Sequence, residues 1–303
     1  MPPISSHQSS TVTKLLYCGD SGTGKTGSLA ALAAAGYRLR IIDTDNGLDV
    51  LRAYLTDPKS QYLLANPKAA ENVHFVTLTE KMRNINGRIT PATARVWPQV
   101  LDMLDHWRVK DTDASGKTIL TEGKPTYAED LGKPTSWGSQ EVLVLDTLTS
   151  LGTAAYNYHC SMNGRLGASP QGNEWRRDIG ATQSMLEGLL QLLSDTSLGC
   201  NVILNSHLTY VQDEDAPAMA DGTGGLKTGY PSAIGKALSP KIPRYFNTVL
   251  LAKTTGFGAS TKHKIFTSSQ GQVDLKSTNP LRVAKEYDLA TGLADYFKAV
   301  RQA

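Results

Sequence analysis

Residues 19–26 read Gly-Asp-Ser-Gly-Thr-Gly-Lys-Thr, a complete Walker A pattern, and no other stretch of the 303-residue chain constrains the fold as tightly. Such a loop works only between a strand and a helix. Its glycines let successive backbone N–H groups face inward, and the N-terminus of the following helix favours an anion. The flanks meet this requirement: 12–18 reads as a buried strand, and 25–35 as an alanine-rich helix closed by Gly36. Gly19, Asp20, Ser21, Gly22, Thr23, Gly24, Lys25, Thr26 and Gly27 therefore predict a phosphate cradle. In it Lys25 reaches the β- and γ-phosphates of ATP, and the Thr26 hydroxyl ligates Mg²⁺.

Downstream, short apolar runs alternate with helical patterns, the signature of a parallel sheet with crossover helices. Strands are expected at 38–43, 73–78, 141–146, 201–206 and 245–253, and helices at 92–108 and 178–193. Runs such as Val142-Leu143-Val144-Leu145 are apolar on both faces, as buried parallel strands are. The pattern then changes. Segments 262–266 and 272–276 flank Ser-Ser-Gln-Gly like the arms of a β-hairpin, and a short helix is expected at 291–301. The fold class is thus α/β, a mostly parallel sheet flanked by helices with a C-terminal β-hairpin extension.

A chain of this length with 40% hydrophobic residues is enough for one large core, so 12–303 is expected to be a single domain. Residues 1–11 read as a flexible tail, 111–139 as an inserted mobile segment rich in Gly, Pro, Thr and Lys, and 254–303 as the hairpin and helix. A net charge of +3 leaves no acidic or basic tail to announce a partner, so a nucleic-acid surface must be a local patch. Cys18, Cys160 and Cys200 lie far apart without a CxxC pair, which excludes a zinc site or disulfide framework and suits a reducing cytoplasm. No apolar run of 18 residues occurs and 1–10 are polar, so no membrane segment or signal peptide is expected.

A phosphate cradle alone hydrolyses nothing; a second magnesium carboxylate and a water-activating group are needed. Residues 141–146, Glu-Val-Leu-Val-Leu-Asp, have the Walker B form, which places Asp146 at the C-terminal edge of the sheet to hold Mg²⁺ through water. Strand 38–43 runs into Asp43-Thr44-Asp45-Asn46-Gly47-Leu48-Asp49. A carboxylate there sits over the terminal phosphate and orients or deprotonates the attacking water.

The order of Walker A, 42–49, 145–150 (Leu-Asp-Thr-Leu-Thr-Ser) and 203–207 (Ile-Leu-Asn-Ser-His) resembles the ATPase core of RecA-type recombinases. More closely, it resembles the small phage-encoded RecA-like ATPases, of AAA-domain type, that accompany or act as single-strand annealing proteins. The resemblance covers 12–290 and rests on four strand-end motifs. It implies a RecA-like P-loop NTPase core, DNA-stimulated ATP hydrolysis with Mg²⁺, and a place in the host cytoplasm. Carried over residue by residue, Asp45 takes the place of a catalytic carboxylate that is usually glutamate. Asp49 takes the contact to the adenine base, and Arg52 the place of the aromatic that stacks on it, with Tyr54 as a rival. His207 falls at the strand-tip sensor of the γ-phosphate. In 281–287, Leu-Arg-Val-Ala-Lys-Glu-Tyr, Lys285 fits the first of two basic residues that reach across a subunit boundary. The second position is Tyr287, so Arg282 or Lys276 would have to substitute. The resemblance therefore implies a homo-oligomer, ring or filament, with nucleotide at the subunit interfaces.

Two long connections follow the Walker B and sensor strands, where this family's DNA-binding loops emerge. The first, 160–177, holds Arg165, Trp175, Arg176 and Arg177; the second, 208–244, holds Gly222, Gly224, Gly225, Lys227, Tyr230, Lys236, Lys241 and Arg244. Cations track phosphates and aromatic faces stack on bases, which suits single-stranded DNA, with a single-strand DNA-binding protein as a further partner. Against this, Asp213, Glu214, Asp215 and Asp221 crowd the start of the second connection and would repel phosphate unless they face elsewhere. Two other readings stay open: a small-molecule kinase with Arg165, Arg176 and Arg177 as a lid, and a nucleotide-dependent scaffold or loader for a replication partner. An AAA+ machine is disfavoured, because the segment after Ala290 is too short for a helical lid domain.

Overall fold

The computed structural model of the chain describes residues 11–113, 117–168, 171–212, 227–256 and 258–301. All but the last residue of the expected tail at 1–11 lies outside these. In chain order the elements are β1 (Lys14–Cys18), α1 (Lys25–Ala34), β2 (Arg38–Asp43), α2 (Asp49–Thr56), α3 (Gln61–Ala65) and β3 (Val73–Thr77). Next come β4 (Met82–Ile85), β5 (Arg88–Pro91), α4 (Val96–Asp105), β6 (Trp107–Lys110), β7 (Leu120–Thr121), β8 (Lys124–Pro125) and β9 (Tyr127–Gly132). The chain continues through β10 (Glu141–Asp146), α5 (Leu148–Met162), α6 (Glu174–Ser194), β11 (Asn201–Ser206), β12 (Leu208–Gln212) and β13 (Lys227–Pro231). It closes with β14 (Thr248–Thr255), β15 (Lys262–Phe266), β16 (Glu286–Asp288) and α7 (Gly292–Arg301).

Eight strands form one sheet in the order β16-β15-β14-β1-β11-β10-β2-β3. From β14 to β3 every neighbouring pair is parallel, and β15 and β16 join antiparallel at one edge. The architecture is the expected one, a mostly parallel sheet flanked by helices and extended at its C-terminal end by antiparallel strands. Each central strand is apolar on both faces because each face is covered. Leu16, Leu143, Leu145, Val202 and Leu204 meet Leu186 and Leu190 of α6 and the indole of Trp107 on one side. On the other, Leu15, Tyr17, Val142, Val144 and Ile203 meet Leu29 and Leu32 of α1 with Tyr296 and Phe297 of α7. This two-sided burial is what a continuous Val/Leu/Ile run encodes.

The antiparallel edge differs in detail from the expected hairpin. Segment 272–276 does not pair with β15, whose two edges are taken by β14 and β16. It crosses instead to other strands: Lys276 bridges Val249, and the carbonyl of Gln272 accepts from the Gly229 amide. The reason is burial, since Val273 is packed into the core against the bare α-carbon of Gly229. The last central strand also starts later than expected, at Thr248, because Pro240 and Pro243 turn 239–245 into a 3₁₀ segment. Within 111–139, β9 pairs with β6 and β7 with β8, while Trp137 stacks against Trp107 with ring centroids 5.9 Å apart.

Strand order positions the site. β11 lies between β1 and β10, so the C-terminal ends of β1, β11, β10 and β2 converge, and in open α/β sheets that end is where ligands bind.

Candidate active site

The loop between β1 and α1 wraps around its own lysine. Lys25 is nearly buried and donates from Nζ to the carbonyls of Gly19 (2.6 Å) and Asp20 (2.9 Å). Gly24 precedes α1 with φ +88°, and a β-carbon there would lie 2.4 Å from Leu289 Cδ2. Only glycine satisfies both the left-handed turn and the close approach. Thr26 points at the Walker B strand: its hydroxyl donates to Asp146 Oδ2 at 2.7 Å. Burial lowers the Lys25 pKa, an effect opposed by the Asp146 carboxylate, and burial raises the Asp146 pKa, opposed by the Thr26 hydrogen bond.

These features fit a nucleotide with a divalent cation. A hydroxyl and a carboxylate already within bonding distance present the two oxygens that Mg²⁺ takes at such loops. Phosphate oxygens before Lys25 and a cation before Asp146 favour the charged form of each group against the burial that opposes it.

The carboxylates after β2 separate into two roles. Asp43 is buried and organises the loop: its Oδ1 accepts from the Asp45 amide (3.1 Å) and the Gly47 amide (3.3 Å), and its Oδ2 from the Thr77 hydroxyl (3.0 Å). Asp45 instead faces the cavity. Thr147 donates to its Oδ2 at 3.1 Å and the Ser150 hydroxyl donates to Oδ1, so the first turn of α5 fixes the carboxylate from behind. His207, at the tip of β11, brings Nε2 to 3.8 Å from Asp45 Oδ2. Two residues 162 positions apart in sequence thus meet where β2 and β11 end. A cavity of about 370 Å³ joins them, lined by Lys25, Thr26, Asp45, Asp146, His207 and Tyr54 among others. Gly22, Gly24, Gly27 and Ser21 line it too, while Asp20 faces β12, where its carboxylate accepts from the Tyr210 hydroxyl at 3.2 Å. Gly19 sits beneath the loop with its amide on the Ser206 carbonyl, and the Thr23 hydroxyl donates to the Asp20 carbonyl at 2.8 Å.

The three positions considered for the base are placed apart. Tyr54 lines the cavity, and its ring lies against Gly27 at the start of α1. Arg52 does not line it; it borders an adjoining cleft of about 960 Å³, shared by Tyr54, Tyr62, His263 and Asp288, and also the cleft of about 300 Å³ that holds Asp49. Asp49 lies on the other side of α2, in a cleft of about 300 Å³ beside Phe75. His263 and Leu289, from the antiparallel edge, border the phosphate cavity and were not foreseen, because their approach is set by sheet order and no local pattern marks it. Lys285 is exposed just before β16, at the edge of the sheet, and does not line its own chain's cavity. Tyr287 is half-buried beside Gly292, and Lys276, on its bridge to Val249, and Arg282 are exposed.

The cationic residues of the two connections divide as well. Arg165 is already committed: its guanidinium grips Asp178 through two bonds of 2.6 and 2.7 Å and holds that carboxyl below its usual range. Arg244 is paired with Glu187 at 2.6 Å. Both therefore tie helices and turns together. Trp175, Arg176 and Arg177 are exposed at the start of α6, with the Arg176 guanidinium 5.6 Å from the Trp175 ring centre. Lys227, Lys236 and Lys241 are exposed, and Tyr230 is half-buried on β13. The second connection packs on α6, since Gln183 donates to the Ile234 carbonyl and Gly235 lies against Ile179. Gly222, Gly224, Gly225 and the acidic cluster Asp213, Glu214, Asp215 and Asp221 lie outside the described residues. The three cysteines are buried and free, and among the described residues no helix is long and apolar enough to cross a membrane.

A family model described as AAA domain matches residues 11–278. Among solved structures, the chain is similar to a KaiC-like protein from the hyperthermophilic archaeon Pyrococcus horikoshii OT3, at TM-score 0.40 and 11% identity, covering 91% of this chain and 84% of that one. It is similar to the flagellar accessory protein FlaH from Methanocaldococcus jannaschii at TM-score 0.39 and 9% identity, with coverage of 90% and 83%. The RadB recombinase gives TM-score 0.38 and 11% identity, with coverage of 85% and 81%. No curated protein matches the chain.

Proposed function

The chain belongs to the AAA-domain family, and from that premise we propose that it is an ATPase that binds single-stranded DNA and promotes annealing or recombination in phage DNA metabolism. The observation that carries the ATPase reading is the meeting of Lys25, Thr26, Asp146, Asp45 and His207 on one cavity. Lys25 and the loop amides hold the β- and γ-phosphates, and Thr26 and Asp146 hold Mg²⁺. The metal, when bound, neutralises charge that develops on the phosphate oxygens. Asp45, anchored by Thr147 and Ser150, orients the attacking water and accepts its proton. His207, beside Asp45, reaches the terminal phosphate, and Tyr54 is the side chain placed to stack on the base.

The DNA reading draws support from the packing of the second connection, at Ile234 and Gly235, against α6, the helix whose exposed first turn carries Trp175, Arg176 and Arg177. Its test is steady-state ATP turnover with and without oligo(dT): stimulation is expected. Turnover indifferent to DNA, together with no DNA binding, would remove this reading in favour of a scaffold or loader.

Lys285 is exposed at the end of the sheet and lies off its own cavity, a placement that suits action on the nucleotide of a neighbouring subunit in a ring or filament. Lys285→Ala is expected to lower turnover in the pure variant. Mixed with Lys25→Ala subunits it should recover activity, because some interfaces then pair an intact loop with an intact Lys285. Absence of recovery at every mixing ratio excludes the trans role.

A further inference from the structure

We propose that Asn205 is a positioning residue for the metal-dependent reaction: from within the sheet, its amide holds the Asp146 carboxylate in the orientation that takes the cation. The proposal rests on the ATPase reading above and adds a residue that reading does not use.

Strand register brings the two side chains together. β11 runs parallel between β1 and β10, with Tyr17 opposite Asn205 on one side and Leu145 opposite Leu204 on the other. One step beyond the Leu145–Leu204 pair, Asn205 stands beside Asp146. Alternation sends both toward one face, since Val144 and Ile203, two positions earlier on each strand, line the core beneath α1. From that helix the Thr26 hydroxyl donates to Asp146 Oδ2 at 2.7 Å. Asp146 lines the phosphate cavity and Asn205, completely buried, does not, so the amide lies on the protein side of the carboxylate.

Burial makes such an amide costly. Its hydrogen bonds to water are lost, and Val202, Ile203 and Leu204 just before it show that the strand takes apolar side chains. The same strand holds a control. Asn201 is equally buried, but its Oδ1 accepts from the Thr13 amide at 2.9 Å and its Nδ2 donates to the carbonyls of Ser139 (2.7 Å) and Glu141 (3.1 Å). That side chain ties β11 to its surroundings. Among the described residues, neither Nδ2 nor Oδ1 of Asn205 makes a hydrogen bond of ordinary length and angle, so tethering does not explain it.

What Asn205 acts on is Asp146. Burial raises the Asp146 pKa, and after the Thr26 hydroxyl the Asn205 amide is the group that most opposes this. The carboxylate is thus steadied from two sides, by Thr26 at the cavity and by Asn205 behind. Partners that orient a metal ligand in this way typically matter by ~10–100-fold in metal affinity.

The test follows Mn²⁺, a spectroscopic substitute for Mg²⁺ that shares its preference for oxygen ligands, by electron paramagnetic resonance in the presence of ADP. For Asn205→Leu the Mn²⁺ dissociation constant is expected to rise about 10-fold or more, and the Mg²⁺ concentration that half-saturates ATP turnover to rise with it. Affinity for a fluorescent ADP analogue in EDTA should not change, because Lys25 and the loop amides are untouched. The thermal midpoint should hold or rise, since an amide buried without a hydrogen bond gives way to an apolar side chain. Wild-type Mn²⁺ affinity in the variant overturns the proposal alone and leaves the ATPase reading standing. Loss of Mn²⁺ affinity and of metal-free nucleotide affinity by the same factor overturns it in favour of a structural role. Wild-type protein that binds no nucleotide, or binds it without Mn²⁺, removes the ATPase reading together with the proposal. If Asn205→Leu lowers the thermal midpoint, Asn205→Ala replaces it under the same criteria.

Discussion

Lys25→Ala is expected to abolish MgATP binding, with turnover falling by at least the ~10²–10³-fold that loss of one preorganised donor costs. Among the described residues Lys25 is the one lysine or arginine that lines the phosphate cavity, so no neighbouring cation can take its place. The histidines that share the cavity, His207 and His263, enter from β11 and β15 and lie outside the loop that would wrap the phosphates. Structural damage should be small by comparison. Burial already lowers the Lys25 pKa, and its two hydrogen bonds go to loop carbonyls within six residues. Isothermal titration with MgATP, alongside a thermal melt to verify folding, separates the two effects. A folded variant with wild-type kcat and KM would remove the ATPase assignment altogether.

The parts of the site that were legible in the chain are those written locally. Strands β2, β10 and β11 occupy their expected bounds because runs of two to four consecutive apolar residues ending in a polar one have few alternatives in a sheet covered on both faces. Asp146 and Thr26 meet as the two motifs require. What was not legible depends on pairing at a distance. A sequence shows the charge of Arg165 and of Arg244 but not their partners, Asp178 and Glu187, the second of them 57 residues away. The edge strand β16 was missed because three residues, Glu-Tyr-Asp, carry no strand signal of their own and are held by β15. The β4–β5 hairpin did have a local mark, Asn86-Gly87, yet its arms are polar enough to read as loop. Arg52 and Tyr54 illustrate a third case: both lie on α2, and two residues along a helix turn the side chain by more than half a revolution, so only one faces Gly27.

Asp45→Asn is expected to leave MgATP affinity near wild type while turnover falls by about 10²-fold or more, the loss typical of a positioned general base. Asparagine preserves the size of the side chain and one carbonyl oxygen to accept from Thr147 or Ser150, so the loop retains most of its anchoring. What it removes is the charge that takes the proton of the attacking water. Asp43→Asn is the informative control. That residue accepts from two loop amides and the Thr77 hydroxyl, hence its substitution should lower the thermal midpoint and reduce binding and turnover together. Asp45→Glu keeps the carboxylate on a side chain one methylene longer and should retain part of the activity. Equal loss of affinity and turnover in Asp45→Asn would make Asp45 a loop anchor like Asp43, and the water-activating group would then have to be sought at His207, whose Nε2 lies 3.8 Å away.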